Sequence, residues 1–311
     1  MSTRLLVIGY GSIGARHSRL AAALGADVAC VTKRADAPFP VAARFASVAD
    51  AIAACDPRYV VIANATGRHA DTLRELDRAG FGGHTLVEKP LFRASDDMPL
   101  ARAFHTSVAY NLRFHPHVQT LRDALAQRPL YSACFYAGQY LPQWRPHVDY
   151  RASYSARREE GGGVLRDLSH EIDLAIWLCG RPLSVAAVGG HLSGLEIDSE
   201  DVYSMLSRHE RCPAVTISLN YLDRTPTRTI AINARDLSAS IDLVNGTLTL
   251  NGEITHCGDD RDATYRAQLQ AWFDRDASSL CSFDEGCEVV RFIAAAEAAA
   301  AERRWVDLPR L

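Results

Sequence analysis

The sequence predicts an α/β protein in two parts: an N-terminal doubly wound parallel sheet, then an α+β domain on an open, mostly antiparallel sheet. Three observations predict it. Short apolar runs alternate with helical stretches over the first 111 residues, the pattern of a parallel sheet with crossover helices. A G-x-G-x-x-G run (Gly9, Gly11, Gly14) stands between the first apolar run and the first helix. After about residue 112 strand-like segments follow one another with few helices between them, which suggests antiparallel pairing. The expected boundary divides 1–112 from 113–311, and 311 residues suffice for two cores.

Taken in order, residues 5–8 (Leu-Leu-Val-Ile) read as the first strand, 12–24 as the helix after it and 27–31 as the second strand. Residues 59–63 (Tyr-Val-Val-Ile-Ala) are apolar throughout, as in a strand covered on both faces. Residues 85–87 repeat that signature, and 107–110 do so more weakly. The intervening helices are 49–54, stopped before Pro57, and 69–79, closed by Gly80. In the second part a helix is expected over 118–126 and strands over 131–138, 202–207, 215–221 and 229–233. Residues 241–250 read as a hairpin turning at Asn245-Gly246. One helix, 164–178, ended by Gly180, interrupts the strands, and 284–303 is an alanine-rich helix.

Composition excludes several classes of function. Hydrophobic residues make up 48% and charged residues 23%, the balance of a soluble globular protein. A net charge of −3 gives no electrostatic reason to expect nucleic acid or an anionic membrane as partner. No apolar stretch approaches the roughly 18 residues of a membrane span, and the chain enters its first strand with no signal peptide visible. None of the eight cysteines forms a C-x-x-C pair or a zinc spacing. Cys30 and Cys179 sit inside apolar elements. A cytoplasmic protein with reduced thiols and no metal is expected; His115 and His117 flank Pro116 without a third ligand.

The glycine run carries the first chemical reading. Between a strand and a helix, Gly9 permits a tight turn, Gly11 lets the backbone approach phosphates, and Gly14 lets helix and strand pack closely. The helix opening at Ser12 and Ile13 offers N–H groups to a dinucleotide pyrophosphate. The reader of the adenosine ribose should follow the second strand, where Thr32, Lys33 and Arg34 stand. Two cations and a hydroxyl there favour the 2′-phosphate of NADP over NAD; as solvated loop charges they leave either cofactor open.

Glu88-Lys89-Pro90 lies at the C-terminal end of a parallel strand, the edge where such sheets bind ligands. A lysine held there can orient a hydroxyl or serve proton transfer, or it is a solvated loop residue. Gly161-Gly162-Gly163 opens the helix that carries Asp167, His170 and Asp173 at intervals of three. That spacing lets Asp167 orient the His170 imidazole, a general acid/base candidate; equally it fits a surface Asp/His pair. Residues 140–154 are interrupted by prolines, and Trp144, Tyr150 and Tyr154 could stack on a sugar face. Arg145 or Arg151 could hold a carboxylate or phosphate. The alternative is a structural loop with packed aromatics.

In order and spacing these motifs resemble the Gfo/Idh/MocA oxidoreductases: Gly9 to Gly14, Ala63-Asn64-Ala65-Thr66 with His69, Glu88-Lys89-Pro90, the 111–116 segment Asn-Leu-Arg-Phe-His-Pro, and Gly161 to Asp173. The resemblance spans about residues 4–180. It implies Lys89, Asp167 and His170 as the catalytic groups. Asn64, Ala65, Thr66, His69, Glu88 and Asn111 fall to the cofactor, and Arg113 and Asp173 to the substrate. Three positions separate Asp167 from His170 where better-known members have four, and Thr66 stands where many carry Pro. The implied reaction is reversible oxidation of a ring carbinol of a sugar, nucleotide sugar or cyclitol with NADP or NAD. The residues 140–154 resemble a branch linked to surface-sugar and nonulosonic acid synthesis. Alternatives are a non-catalytic dinucleotide-binding sensor and a transient-redox epimerase or lyase. Alternation of Val215, Ile217 and Leu219 with Thr216 and Ser218 predicts a sheet face free of charge. A homodimer or homotetramer is therefore expected through that face.

Overall fold

The computed structural model describes residues 3–33, 41–95, 104–145, 147–258 and 260–310. The chain divides into two units, Met1–Phe114 with Arg261–Cys287, and His115–Asp260 with Glu288–Leu311.

In the first unit β1 (Thr3–Ile8), α1 (Ser12–Ala23), β2 (Ala26–Val31), β3 (Ala43–Phe45), α2 (Val48–Cys55), β4 (Tyr59–Ile62), α3 (His69–Arg78), β5 (His84–Val87) and β6 (His105–Val108) alternate. The strands pair in parallel in the order 3-2-1-4-5-6. That order reverses direction between β1 and β4, which opens a crevice at their C-terminal ends. Every residue of β4 is buried, in keeping with its uninterrupted apolar run. Local signals set the boundaries: the Ser47 hydroxyl caps α2 by accepting the Asp50 N–H at 3.2 Å, and Asp56 ends it in the left-handed region. By contrast, among the described residues no side chain caps α1, whose N-cap is Gly11.

The second unit runs through α4 (Pro116–Leu125), β7 (Leu130–Gly138), α5 (Val164–Asp167), α6 (Ser169–Cys179), β8 (Pro182–Gly190), β9 (Val202–His209), β10 (Val215–Asn220), β11 (Thr227–Ala234), β12 (Leu237–Asp242), β13 (Thr247–Leu250) and β14 (Glu253–His256). Its strands form one sheet in the order 14-13-12-11-7-10-9-8, antiparallel except for β7 beside β10, and a last short strand, Val306–Asp307, pairs antiparallel with β8. The expected hairpin is β12–β13, with Ile241 opposite Leu248 and Gly246 at φ +62. Val215, Ile217 and Leu219 point into the core, and Thr216 and Ser218 outward.

Two expectations are corrected. The chain does not stay in its second part. After β14 it returns to the first unit as α7 (Ala263–Asp274) and β15 (Cys281–Ser282), then enters α8 (Phe283–Glu302) and β16 (Val306–Asp307). Leu269 and Trp272 of α7 complete the core around Leu5, Val7 and Tyr59, and β15 adds antiparallel to β6. The helix expected over 164–178 is two helices, because Leu168 leaves helical geometry at φ −101, ψ 30. No helix among the described residues is long and apolar enough to cross a membrane.

Candidate active site

The crevice between β1 and β4 is built by glycines with distinct tasks. Gly9 has φ +93, and a Cβ there would lie 2.5 Å from the Asn64 backbone nitrogen. A Cβ on Gly14 would overlap the Gly9 carbonyl oxygen. These two glycines let the turn, α1 and the β4 loop touch. Gly11 is different: it has φ −80, and nothing lies within 4 Å of where its Cβ would be. Its open side belongs to a groove of about 300 Å³ whose lining includes Thr32, Lys33, Asn64 and Arg68. Asn64 donates its amide to the Thr72 hydroxyl at 2.8 Å, while its buried Oδ1 has no partner among the described residues. Bare N–H groups at the start of α1, free space over Gly11 and an unsatisfied acceptor at Asn64 are what a dinucleotide requires. Ser12 and Ile13 form the first turn of α1, and Ala65 and Thr66 lead into a short turn, Thr66–Arg68. Arg34 lies outside the described residues.

Arg68 escaped the sequence reading. It precedes α3 at the same strand edge and pairs loosely with Glu75 at 3.9 Å. The rule that ligands bind beyond the carboxyl ends of the strands could have found it.

Glu88 and Lys89 follow β5 at this edge, and the Lys89–Pro90 peptide is cis. One Glu88 oxygen accepts from His17 Nε2 at 2.8 Å and the other from the Lys89 N–H at 3.2 Å. Burial alone would push the Glu88 carboxyl up, yet His17 and Lys89 together hold it below the usual carboxylate range. Lys89 stands out by composition too. The chain has 34 basic residues, and all but Lys33 and Lys89 are arginine. Its ammonium is compact, where a guanidinium is planar and always charged.

Three residues assigned to cofactor or substrate have other work. His69 is fully buried, with its ring nitrogens at the carbonyls of Leu91 and Asn64, 3.1 Å each. It braces the two loops, and burial lowers its basicity. Asn111 donates to the Thr264 hydroxyl at 2.7 Å and ties in the returning α7. Arg113 is 1% exposed and paired with Glu285 at 3.0 Å; a buried, paired guanidinium holds structure rather than substrate.

In the second unit Gly161 and Gly163 take positive φ. A Cβ on Gly162 would strike the carbonyls of Tyr154 and Ser155, and one on Gly163 the carboxylate of Glu200. The triple glycine thus admits protein neighbours. Asp167 accepts from the Tyr221 hydroxyl at 2.7 Å, and Tyr154 hydrogen-bonds it as well. Burial and the Asp167 charge raise both phenols far above ordinary tyrosine, fixing them as donors. Trp144 meets Tyr221 edge-on at 5.2 Å, and the Arg145 guanidinium lies 5.6 Å over the Tyr154 ring. The structure therefore gathers Trp144, Arg145 and Tyr154 around Asp167. Trp144, Arg145 and Tyr150 line one small pocket, and the Tyr150 hydroxyl accepts the Glu196 N–H at 3.3 Å. His170 is 8% exposed, whereas Asp173 is fully buried, which removes it as a direct substrate contact. The break at Leu168 means that an interval of three no longer guarantees a common face for Asp167 and His170.

Fold and crevice define a dinucleotide-binding protein with a Rossmann-type unit and an open-sheet unit. Residues 3–105 match the oxidoreductase family with an NAD-binding Rossmann fold, and 118–247 the GFO/IDH/MocA C-terminal domain. The chain belongs to the Gfo/Idh/MocA oxidoreductases. Over 144 residues it is 27% identical to levoglucosan dehydrogenase of Pseudarthrobacter phenanthrenivorans, a match covering 43% of this chain and 36% of that protein. A levoglucosan dehydrogenase solved with NADH and levoglucosan is similar over 100% of both chains, with TM-score 0.86 and 19% identity. The WlbA dehydrogenase from Bordetella pertussis, solved with NADH and UDP-GlcNAcA, is similar over 100% of both chains, with TM-score 0.81 and 20% identity. At these identities the two structures speak for the fold.

Proposed function

We propose that the protein is an NAD(P)-dependent dehydrogenase or reductase acting on a ring carbinol of a sugar, nucleotide sugar or cyclitol. The observation that carries this reading is the open groove over Gly11 with Lys89 at the same strand edge. The α1 N-terminus would receive the pyrophosphate, and Thr32, Lys33 and Arg68 would face the adenosine end. When bound, the nicotinamide supplies hydride acceptance or donation. Lys89 would donate a hydrogen bond to the carbinol oxygen as its negative charge develops. His170 would take the hydroxyl proton as general base and return it in the reverse direction. Asp167, engaged by two tyrosines, would hold the 144–154 loop against the helix carrying His170. Trp144, Tyr154 and Arg145 on that loop would contact the sugar. A relative named for levoglucosan and a similar structure solved with UDP-GlcNAcA support a sugar substrate.

Lys33 and Arg68, which line the same groove, favour NADP. Eight free cysteines among the described residues fit a cytoplasmic location. A second copy of the chain would cover the outer sheet face, where Thr216 and Ser218 lie beside exposed Val188 and Leu206 around a groove of about 840 Å³. The reading is tested by mixing the protein with NAD⁺ or NADP⁺ and levoglucosan, myo-inositol, UDP-GlcNAcA and free sugars. Reduction of either nicotinamide by at least one of them is expected. Tight cofactor binding without turnover across a broadened panel would instead favour the sensor.

A further inference from the structure

His17 has no part in the reaction described above, yet it is one of the most enclosed polar side chains of the first unit. It sits on α1, the helix that opens at the glycine turn, and is 0% exposed. Its Nε2 lies 2.8 Å from Glu88 Oε1. An ionised carboxylate can only accept, so Nε2 carries the proton. Its Nδ1 is buried with no partner among the described residues, so nothing else directs the ring by hydrogen bonding. Packing directs it instead: Tyr265 on α7 meets the imidazole edge-on at 5.7 Å, and the Arg16 guanidinium sits 5.0 Å over the Tyr265 ring. The second Glu88 oxygen accepts the Lys89 N–H. A short chain of contacts thus runs from α1 through one carboxylate to the backbone of the lysine. The charged or titratable groups acting on Glu88 are His17 from α1, Lys89 from its own turn and His69 from α3.

We propose that His17 is a positioning residue for the reaction: through Glu88 it fixes the turn that carries Lys89. The helix receiving the cofactor's phosphates thereby also sets the aim of the ammonium. The proposal rests on Lys89 being the group that stabilises the alkoxide. Without His17, Glu88 loses the donor to one oxygen and its buried charge is held only at the other. The carboxylate must then turn or take up a proton, and the Lys89 backbone follows.

The test uses the scarcity of lysine. Reductive ¹³C-methylation labels only Lys33, Lys89 and the terminal amine, so Lys89 can be watched by NMR without any substrate. In His17→Ala the Lys89 signal moves while that of Lys33 stays. In His17→Gln, which keeps an N–H directed at Glu88, the Lys89 signal returns toward its original position. With the best sugar of the panel, His17→Ala turns over at least roughly tenfold more slowly, the size of one lost charge-assisted hydrogen bond. NADH affinity is retained, and the double variant His17→Ala/Lys89→Ala is no slower than Lys89→Ala. Should His17→Ala fail to fold, Glu88→Gln and His17→Gln carry the same comparison. An unmoved Lys89 signal, or losses that multiply in the double variant, overturns the proposal. Full activity of Lys89→Ala would overturn the catalytic reading beneath it instead.

Discussion

Gly11 offers the sharpest separation of binding from folding. Three glycines share one motif, yet the structure assigns them opposite sensitivities. At Gly11 φ is −80, a value any L-residue adopts, and the space beyond the missing Cβ is empty. Gly11→Val should therefore fold. Its cost is that of a β-branched residue at a helix N-cap, about 1 kcal/mol. The valine methyls would fill the path of the pyrophosphate. Displacing it from the α1 N–H groups forfeits one or two charge-assisted hydrogen bonds of about 1.5–3 kcal/mol each. Affinity for the dinucleotide should thus fall by roughly 100-fold or more. Gly14→Ala should behave in the reverse way, because its Cβ meets the Gly9 carbonyl oxygen, backbone that cannot step aside. Helix propensity gains about 1 kcal/mol from alanine, but overpacking against backbone costs about 1–3 kcal/mol or more, so the net effect is destabilising. Calorimetric titration with NADH and thermal melts of both variants provide the comparison. A Gly11→Val protein that binds like wild type, or a Gly14→Ala protein that melts no lower, refutes the assignment of space to ligand and backbone.

NADP should bind more tightly than NAD, and Lys33→Ala with Arg34→Ala should narrow the ratio by up to about tenfold per 1.4 kcal/mol lost; a wild-type preference for NAD in paired titrations contradicts this. Burial lowers His209 from the ordinary histidine range to about 4, with Nδ1 donating to the Gly180 carbonyl and the Ser207 hydroxyl donating to Nε2. A depressed basicity contributes stability that is complete above about 6.5 and is lost as pH falls toward 4, on the order of 3 kcal/mol. Melts between pH 7.5 and 4 should decline accordingly, and less in His209→Asn; equal slopes would place the acid sensitivity elsewhere. In solution, light scattering should give a multiple of 34.1 kDa, and Thr216→Lys or Ser218→Lys should weaken the assembly. A monomer, or an oligomer indifferent to both lysines, rejects the sheet-face interface.

Much of the fold was legible because the chain writes it in local terms. β4 is apolar at every position, α2 is capped by Ser47, and Asn245-Gly246 marks the β12–β13 turn. Other elements carried no local signature. β14 is exposed at every residue, β8 is broken by small residues and ends in two glycines, and β3 has only three residues. The return of α7 was hidden for another reason: an amphipathic helix announces a buried face but not which core receives it, and Trp272 sits beside Tyr59, over 200 residues away in sequence. The site divides the same way. The close packing at Gly14 was legible from strand–turn–helix context, because it meets Gly9 five positions away, whereas Asn64, which Gly9 meets, lies 55 positions off. Arg113 and His69 misled because a polar residue in a motif reads as a ligand contact until its partner, Glu285 or a pair of carbonyls, is seen in space. Likewise Tyr221, the donor to Asp167, lies 54 positions away and has no spacing that could have linked them.

In the proposed reaction Lys89 and His170 drive sugar oxidation at a nicotinamide. Stopped-flow reduction of bound NADP⁺ or NAD⁺ by the best sugar of the panel addresses it most directly, in wild type, Lys89→Ala and His170→Ala. Both variants should bind cofactor within about threefold of wild type and transfer hydride at least about 10²-fold more slowly, the usual worth of a general acid–base or electrostatic group. Hydride transfer at the wild-type rate in either variant would contradict the claim.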